Sequence, residues 1–142
     1  MKKLALLAGT IFIIFALVSC SGGGKYAAVK DLLEKECDIM SSFADDINKA
    51  TTAAEAAKAI DNFREDMEKI IPEVKDLDKK YPELKTQKEE DVPAELKPVL
   101  ERLNKEIMPK FMSAFGKMQQ FAGDPAVQEA QRKMNETMMK MR

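Results

Sequence analysis

Cys20 and Cys37 carry the strongest nucleophiles in this 142-residue chain, and no histidine is present to activate either thiol. That absence removes the usual general base near neutral pH, the Ser-His and Cys-His nucleophile pairs and the commonest zinc ligand. Thioethers are the second group with chemical potential: seven of the ten methionines fall between Met108 and Met141. Met134, Met138 and Met141, with Cys37, supply soft sulfur donors suited to Cu(I). Only Met138-Met139-Lys140-Met141 is dense, and no His accompanies it. We therefore read the methionines as flexible fillers of irregular gaps between helices. Met108, Met112 and Phe115 permit a further reading, an adaptable groove for an apolar ligand or a partner helix. The acidic clusters Glu65-Asp66 with Glu68, and Glu89-Glu90-Asp91, lack the alternating oxygen ligands and bend glycine of a calcium loop. Arg64 and Lys69 stand beside the first cluster, so solvated, mutually screened charge is the simpler reading. Spacing alone does not exclude a carboxylate pair for glycoside hydrolysis, but no other residue supports one.

The setting of Cys20 is more specific. Lys2 and Lys3 precede an uncharged run from Leu4 to Val18, which closes on Leu17-Val18-Ser19-Cys20 and is followed by Ser21-Gly22-Gly23-Gly24. A membrane-spanning helix needs roughly 17–25 apolar residues, so the run is short for a permanent span and has the length of a signal-peptide core. The aliphatic-x-small-Cys pattern resembles the lipobox of bacterial lipoproteins. The resemblance implies cleavage after Ser19, with the Cys20 thiol taking the diacylglyceryl group and becoming the first residue of the mature protein. Such proteins carry two or three acyl chains on this cysteine, enough for stable anchoring where one chain is marginal. Ser21 after the cysteine, in place of Asp, implies the outer rather than the inner membrane of the envelope. An uncleaved signal anchor and an ordinary secreted protein cut nearby are the competing readings of the same residues. The resemblance covers only residues 1–20 and concerns processing, not function.

Removal of residues 1–19 leaves 123 residues, enough for one domain with a core. The leader holds two of the 23 basic residues and none of the 24 acidic ones, so the remainder is about three charges negative. That balance argues against nucleic acid and against electrostatic attachment to anionic lipid. With Cys20 lipidated, Cys37 has no partner within the chain, and no disulfide staples the fold. A buried, inert thiol is the expected state of Cys37, because it lies one turn from both Leu33 and Met40. An intermolecular disulfide would require it to be exposed.

The elements that position these groups are helical. Residues 20–25 form a lipidated cysteine and glycine-rich spacer, and residues 26–142 a single domain. From Tyr26 to about Lys49 apolar residues recur at helical spacing through Val29, Leu33, Cys37, Met40 and Ile47, opposite Lys30, Asp31, Glu34, Lys35, Asp45 and Asp46. Thr52-Ala53-Ala54-Glu55 fits a capping box. Behind it Ala56, Ile60, Phe63, Met67, Ile70, Val74, Leu77 and Tyr81 make a seam spaced alternately four and three, as in a long helix packed nearly parallel to its neighbours. Pro72 inside that seam predicts a kink. Residues 82–92 read as the longest loop.

A third helix is expected from about Pro93 to Ala122, its start delayed by Pro98 and kinked at Pro109. Its broad stripe (Leu96, Val99, Leu103, Ile107, Phe111, Met118 and their neighbours) predicts the most buried helix. Gly123 then Asp124-Pro125 marks a stop, an N-cap and a new helix, with Val127, Ala130, Met134, Met138 and Met141 on one face. Arg132, Lys133, Lys140 and Arg142 suit the negative end of its dipole. The fold class is all-α, an antiparallel bundle of three long helices and a shorter fourth. The functional expectation is an envelope lipoprotein held at the membrane through Cys20, with the helical domain acting as a structural or accessory module on an envelope protein partner. The alternative is a Met-rich Cu(I) or apolar-ligand carrier. Enzyme activity, a cofactor and a resident metal are not expected.

Overall fold

The computed structural model describes Gly24, residues 26–82 and residues 92–140. The leader, Cys20, most of the 82–92 loop with Glu89-Glu90-Asp91, and Met141 and Arg142 lie outside the described residues. Regular structure among the described residues is entirely helical: α1 (Ala27–Lys49), α2 (Ala53–Lys80), α3 (Lys97–Arg102), a π-helical turn (Leu103–Ile107), α4 (Met108–Met118), a 3-10 turn (Gln119–Phe121) and α5 (Pro125–Met139).

The helix starts follow from local chemistry. At α2 the Thr52 hydroxyl accepts from the Glu55 N–H at 3.2 Å, and the Glu55 carboxylate accepts from the Thr52 N–H at 3.2 Å. The same carboxylate takes the Thr51 N–H at 2.7 Å, and this bond leads in holding its pKa below the usual value. At α5 the Asp124 carboxylate accepts from the Ala126 N–H at 2.9 Å, and Pro125 occupies the first turn, where a missing N–H leaves no bond unmade. Pro72 does not end α2, which runs on to Lys80 with the proline ring exposed.

The third expected helix is divided. Regular helix begins at Lys97 rather than near Pro93, with Pro98 in its first turn, and the α-helical ladder gives way to a π-helical turn before Pro109. Pro109 cannot donate to the carbonyl one turn back, and its ring crowds that carbonyl. The turn ahead of it widens, so that the Met108 N–H bonds to the Leu103 carbonyl five residues back. Gly123 is not the left-handed stop the sequence suggests, since Gly24 is the glycine with positive φ among the described residues. The tighter Gln119–Phe121 turn closes α4 instead.

Pairwise contacts give the packing. Tyr26 meets Tyr81 with ring centroids 5.5 Å apart, Lys35 reaches Glu73 at 2.8 Å, and Phe43 meets Phe63 at 4.8 Å. Residue numbers therefore fall on α2 as they rise on α1, and the two helices run in opposite directions. The Tyr26 N–H donates to Glu95 at 3.1 Å, Arg102 pairs with Asp38 at 2.8 Å, and Lys110 lies 3.9 Å from Asp45. Numbers rise together here, so α3 and α4 run alongside α1 in the same direction. Helix α5 packs on α2, joined by the Thr137 hydroxyl donating to Glu68 at 2.7 Å.

One continuous apolar cluster fills the interior. Its aromatic centre is Phe43, Phe63 and Phe111, one ring from each of α1, α2 and α4, with Phe43 and Phe111 centroids 5.5 Å apart. The most buried helix is α1, not the third segment. It is flanked by α2 on one side and by α3 and α4 on the other, whereas the outer part of the broad stripe is left at the surface: Phe115 is half-buried and Met112 is 53% exposed.

Candidate functional site

Cys37 lies in the core, 1% exposed, on the inner face of α1. Burial pushes its thiol up to about 11, only partly countered by Arg102. The nucleophilic form is the thiolate, so the folded chain presents neither access nor reactivity at this sulfur. The inert reading of Cys37 therefore agrees with the structure, and a disulfide between chains would need α1 to be uncovered first.

The methionines divide by face. Met134 and Met138 are buried beside Val127 and Ala130 on the inner side of α5, while Met139 is 64% exposed. Sulfurs from Met134 and Met138 thus serve the interior. Met108, Met112 and Phe115 do share one edge of α4, with Met112 outermost between two half-buried neighbours.

The first acidic cluster is dispersed among cations. Arg64 reaches Asp61 at 3.4 Å, Glu65 at 3.3 Å and Glu68 at 3.1 Å, and Lys69 pairs with Asp66 at 2.7 Å. Glu68 also accepts the buried Thr137 hydroxyl, which leads in holding its carboxyl below the usual range. The cluster joins α2 to α5 rather than forming an open site. Among the described residues no group of His, Cys, Asp or Glu is arranged to hold a metal ion. Arg132, expected to complement the α5 dipole, is instead taken by Glu129 at 2.8 Å and by Glu136 on the exposed face, where such pairs contribute little.

The residue that sequence reasoning missed is Glu36. It is 8% exposed, and its Oε1 is buried without a hydrogen-bond partner. Desolvation raises its pKa from 4.5 to about 8, so the neutral acid predominates at pH 7. A buried polar group with no partner costs about 1–3 kcal/mol, far more than a solvated glutamate at an outer position. The signal is present in the spacing: Glu36 stands seven residues after Val29, three after Leu33 and four before Met40, all buried. Its neighbours in sequence, Lys35 and Asp38, turn outward to Glu73 of α2 and Arg102 of α3. Helix α1 thus carries two adjacent ionisable groups, Glu36 and Cys37, that are both kept largely uncharged in the core.

Comparison of the chain with protein-family models, with curated proteins and with solved structures returned no match.

Proposed function

We propose that this chain is a bacterial envelope lipoprotein, held at the membrane by lipid on Cys20 and acting through protein contacts of its helical domain. The observation that carries the reading is Leu17-Val18-Ser19-Cys20, placed at the end of an uncharged run that follows Lys2-Lys3 and leads into three glycines. Each of these features answers a step of lipoprotein processing: a positive start, an apolar core of sub-spanning length, a small residue before the cysteine, and a flexible spacer after it. Ser21 favours the outer membrane. Within the proposal, the helices close as an antiparallel bundle of three long elements and a shorter one, carried on a tether. Among the described residues no helix is long and apolar enough to cross a membrane, so the tether supplies what the helices do not.

The role in protein contacts draws support from Met112. A methionine that is 53% exposed between half-buried Met108 and Phe115 gives α4 an adaptable apolar edge. Soft-metal carriage is the weaker reading, because Met134 and Met138 pack inward. Fractionation tests the anchor: wild type should sediment with envelope membranes, whereas Cys20→Ala should be released or left unprocessed. In-membrane cross-linking from position 112 should then recover one defined envelope protein. A Cys20→Ala protein that matures and still fractionates with lipid would refute the reading.

A further inference from the structure

Gly116 stands on the outer face of α4, where the fold itself gives no reason for a glycine. Glycine is the poorest helix former after proline. Its backbone is not left-handed, since Gly24 is the glycine with positive φ among the described residues, and a Cβ at 116 would meet nothing within 4 Å beyond its own helix backbone. An alanine would hold the helix better and touch nothing. A notch of this kind has a use when a bulky group or a second backbone approaches from outside.

One turn earlier on the same face Met112 is 53% exposed, so a bump and a notch lie next to each other. Pro109 and Ser113 complete the exposed surface, with half-buried Met108 and Phe115 along its margin. Charged residues make up 33% of the chain, yet none lies on this face. Both cations of α4 are on the edge toward α1, Lys110 at 3.9 Å from Asp45 and Lys117 donating to the Asn48 carbonyl. The exposed sides of the other long helices are charged, with Glu34 and Asp38 on α1, Glu65 and Lys69 on α2, and Glu129 and Glu136 on α5.

We propose that the uncharged face of α4 docks on a second copy of itself, with Met112 of each copy entering the notch at Gly116 of the other. This rests on the reading that the domain acts through protein contacts, and it names the partner at α4. A two-fold axis sets a surface against itself, so a charged face would oppose like charges, and the face of α4 has none to oppose. An axis passing between Met112 and Gly116 runs the two α4 helices antiparallel and makes the bump-and-notch contact twice. Gln119 and Gln120, exposed just beyond the helix, each carry a donor and an acceptor and can pair with their own copies. Eleven residues of helix are about 16 Å long, so the contact is smaller than the roughly 800 Å² per partner of a standard interface. The dimer is accordingly weak and depends on local concentration.

Thiol cross-linking of the full chain in its own envelope tests this. Two differently tagged copies carry Ser113→Cys, on the rim of the contact, and a short bismaleimide joins them. The chain without the added cysteine sets the background, and buried Cys37 stays unreactive. A product of twice the chain mass bearing both tags is expected. Gly116→Leu fills the notch and should cut that product by about ten-fold. Its thermal midpoint should hold or rise, because leucine favours the helix and its Cβ meets nothing. Met112→Glu alone should lose the product as well. Pairing a Met112→Glu copy with a Gly116→Lys copy should restore it, because a carboxylate then meets an ammonium across the contact. Absence of the product in the parent pair, an undiminished product in Gly116→Leu, or no recovery in the mixed pair would each overturn the second copy. A cross-link to a different envelope protein would also overturn it, while leaving the contact role standing. Whether Cys20 anchors the chain is read separately, by fractionation.

Discussion

Glu36 and Cys37, successive residues of α1, both place ionisable groups in the apolar interior, and burial favours the uncharged form of each. They occupy adjacent positions of a 3.6-residue helix, about 100° apart, so the buried arc of α1 is wide enough to take both. A helix flanked on two sides needs such an arc, and α1 is packed by α2 on one side and by α3 and α4 on the other. The consequences of the pair are measurable separately.

The first concerns stability against pH. Glu36 has a folded pKa of about 8 against 4.5 when solvated, so between those values the folded state binds more protons than the unfolded one. Stability contributed by the neutral acid is fully present below pH 4.5 and declines as pH rises, until the loss is complete above pH 8. At pH 7 the loss is about 3 kcal/mol. Urea denaturation of wild type should therefore show a lower midpoint at pH 8 than at pH 5, and Glu36→Gln should flatten the difference.

Cys37 supplies a second measurement. A thiol at about 11 rather than 9.0 has about a hundred-fold less thiolate at neutral pH, before any loss of access is counted. In a Cys20→Ala background, labelling of Cys37 by a thiol reagent should be at least that much slower in the native protein than in denaturant.

The aromatic node joining α1, α2 and α4 sets a third expectation. Phe43 contacts both Phe63 and Phe111, and it is 3% exposed. Phe43→Ala should cost about 3–5 kcal/mol, through lost burial and the cavity left behind. Met112→Ala, on the exposed edge of α4, should shift stability by less than about 0.5 kcal/mol while weakening partner capture. Chemical denaturation of both variants distinguishes a core residue from a surface one.

The capping box gives the fourth. Thr52→Ala removes the acceptor for the Glu55 N–H and should destabilise the protein by about 1 kcal/mol. Thermal unfolding should show a correspondingly small drop, with helical content at low temperature unchanged.

Features decided by neighbours along the chain are legible in the amino-acid sequence alone. Thr52 with Glu55 and Asp124 with Pro125 announce helix starts, because capping uses atoms within three residues. The seam from Ala56 to Val74 announces its own buried face, because period and burial are the same statement. The proposed role of Cys20 rests on the sequence for a different reason: a processing signal of the kind proposed is read on an extended segment, independent of the fold. Glu36 is hidden by the very pattern it belongs to, since one acid among Val29, Leu33 and Met40 is outweighed by its neighbours. The π-helical turn before Pro109 can be anticipated as an irregularity but not in form, which depends on how the freed carbonyls of one turn are redistributed. Exposure of Met112 follows from the packing of α4 chiefly on α1, a long-range fact that periodicity does not contain.

The central claim is that Cys20 carries the lipid. Mass spectrometry of the N-terminal peptide of the protein taken from its own membranes tests it most directly. The account predicts a peptide that begins at Cys20 and bears diacylglyceryl mass, with acyl chains released by alkaline hydrolysis. A mature protein that begins at another residue, or that has an unmodified Cys20 thiol, would contradict it.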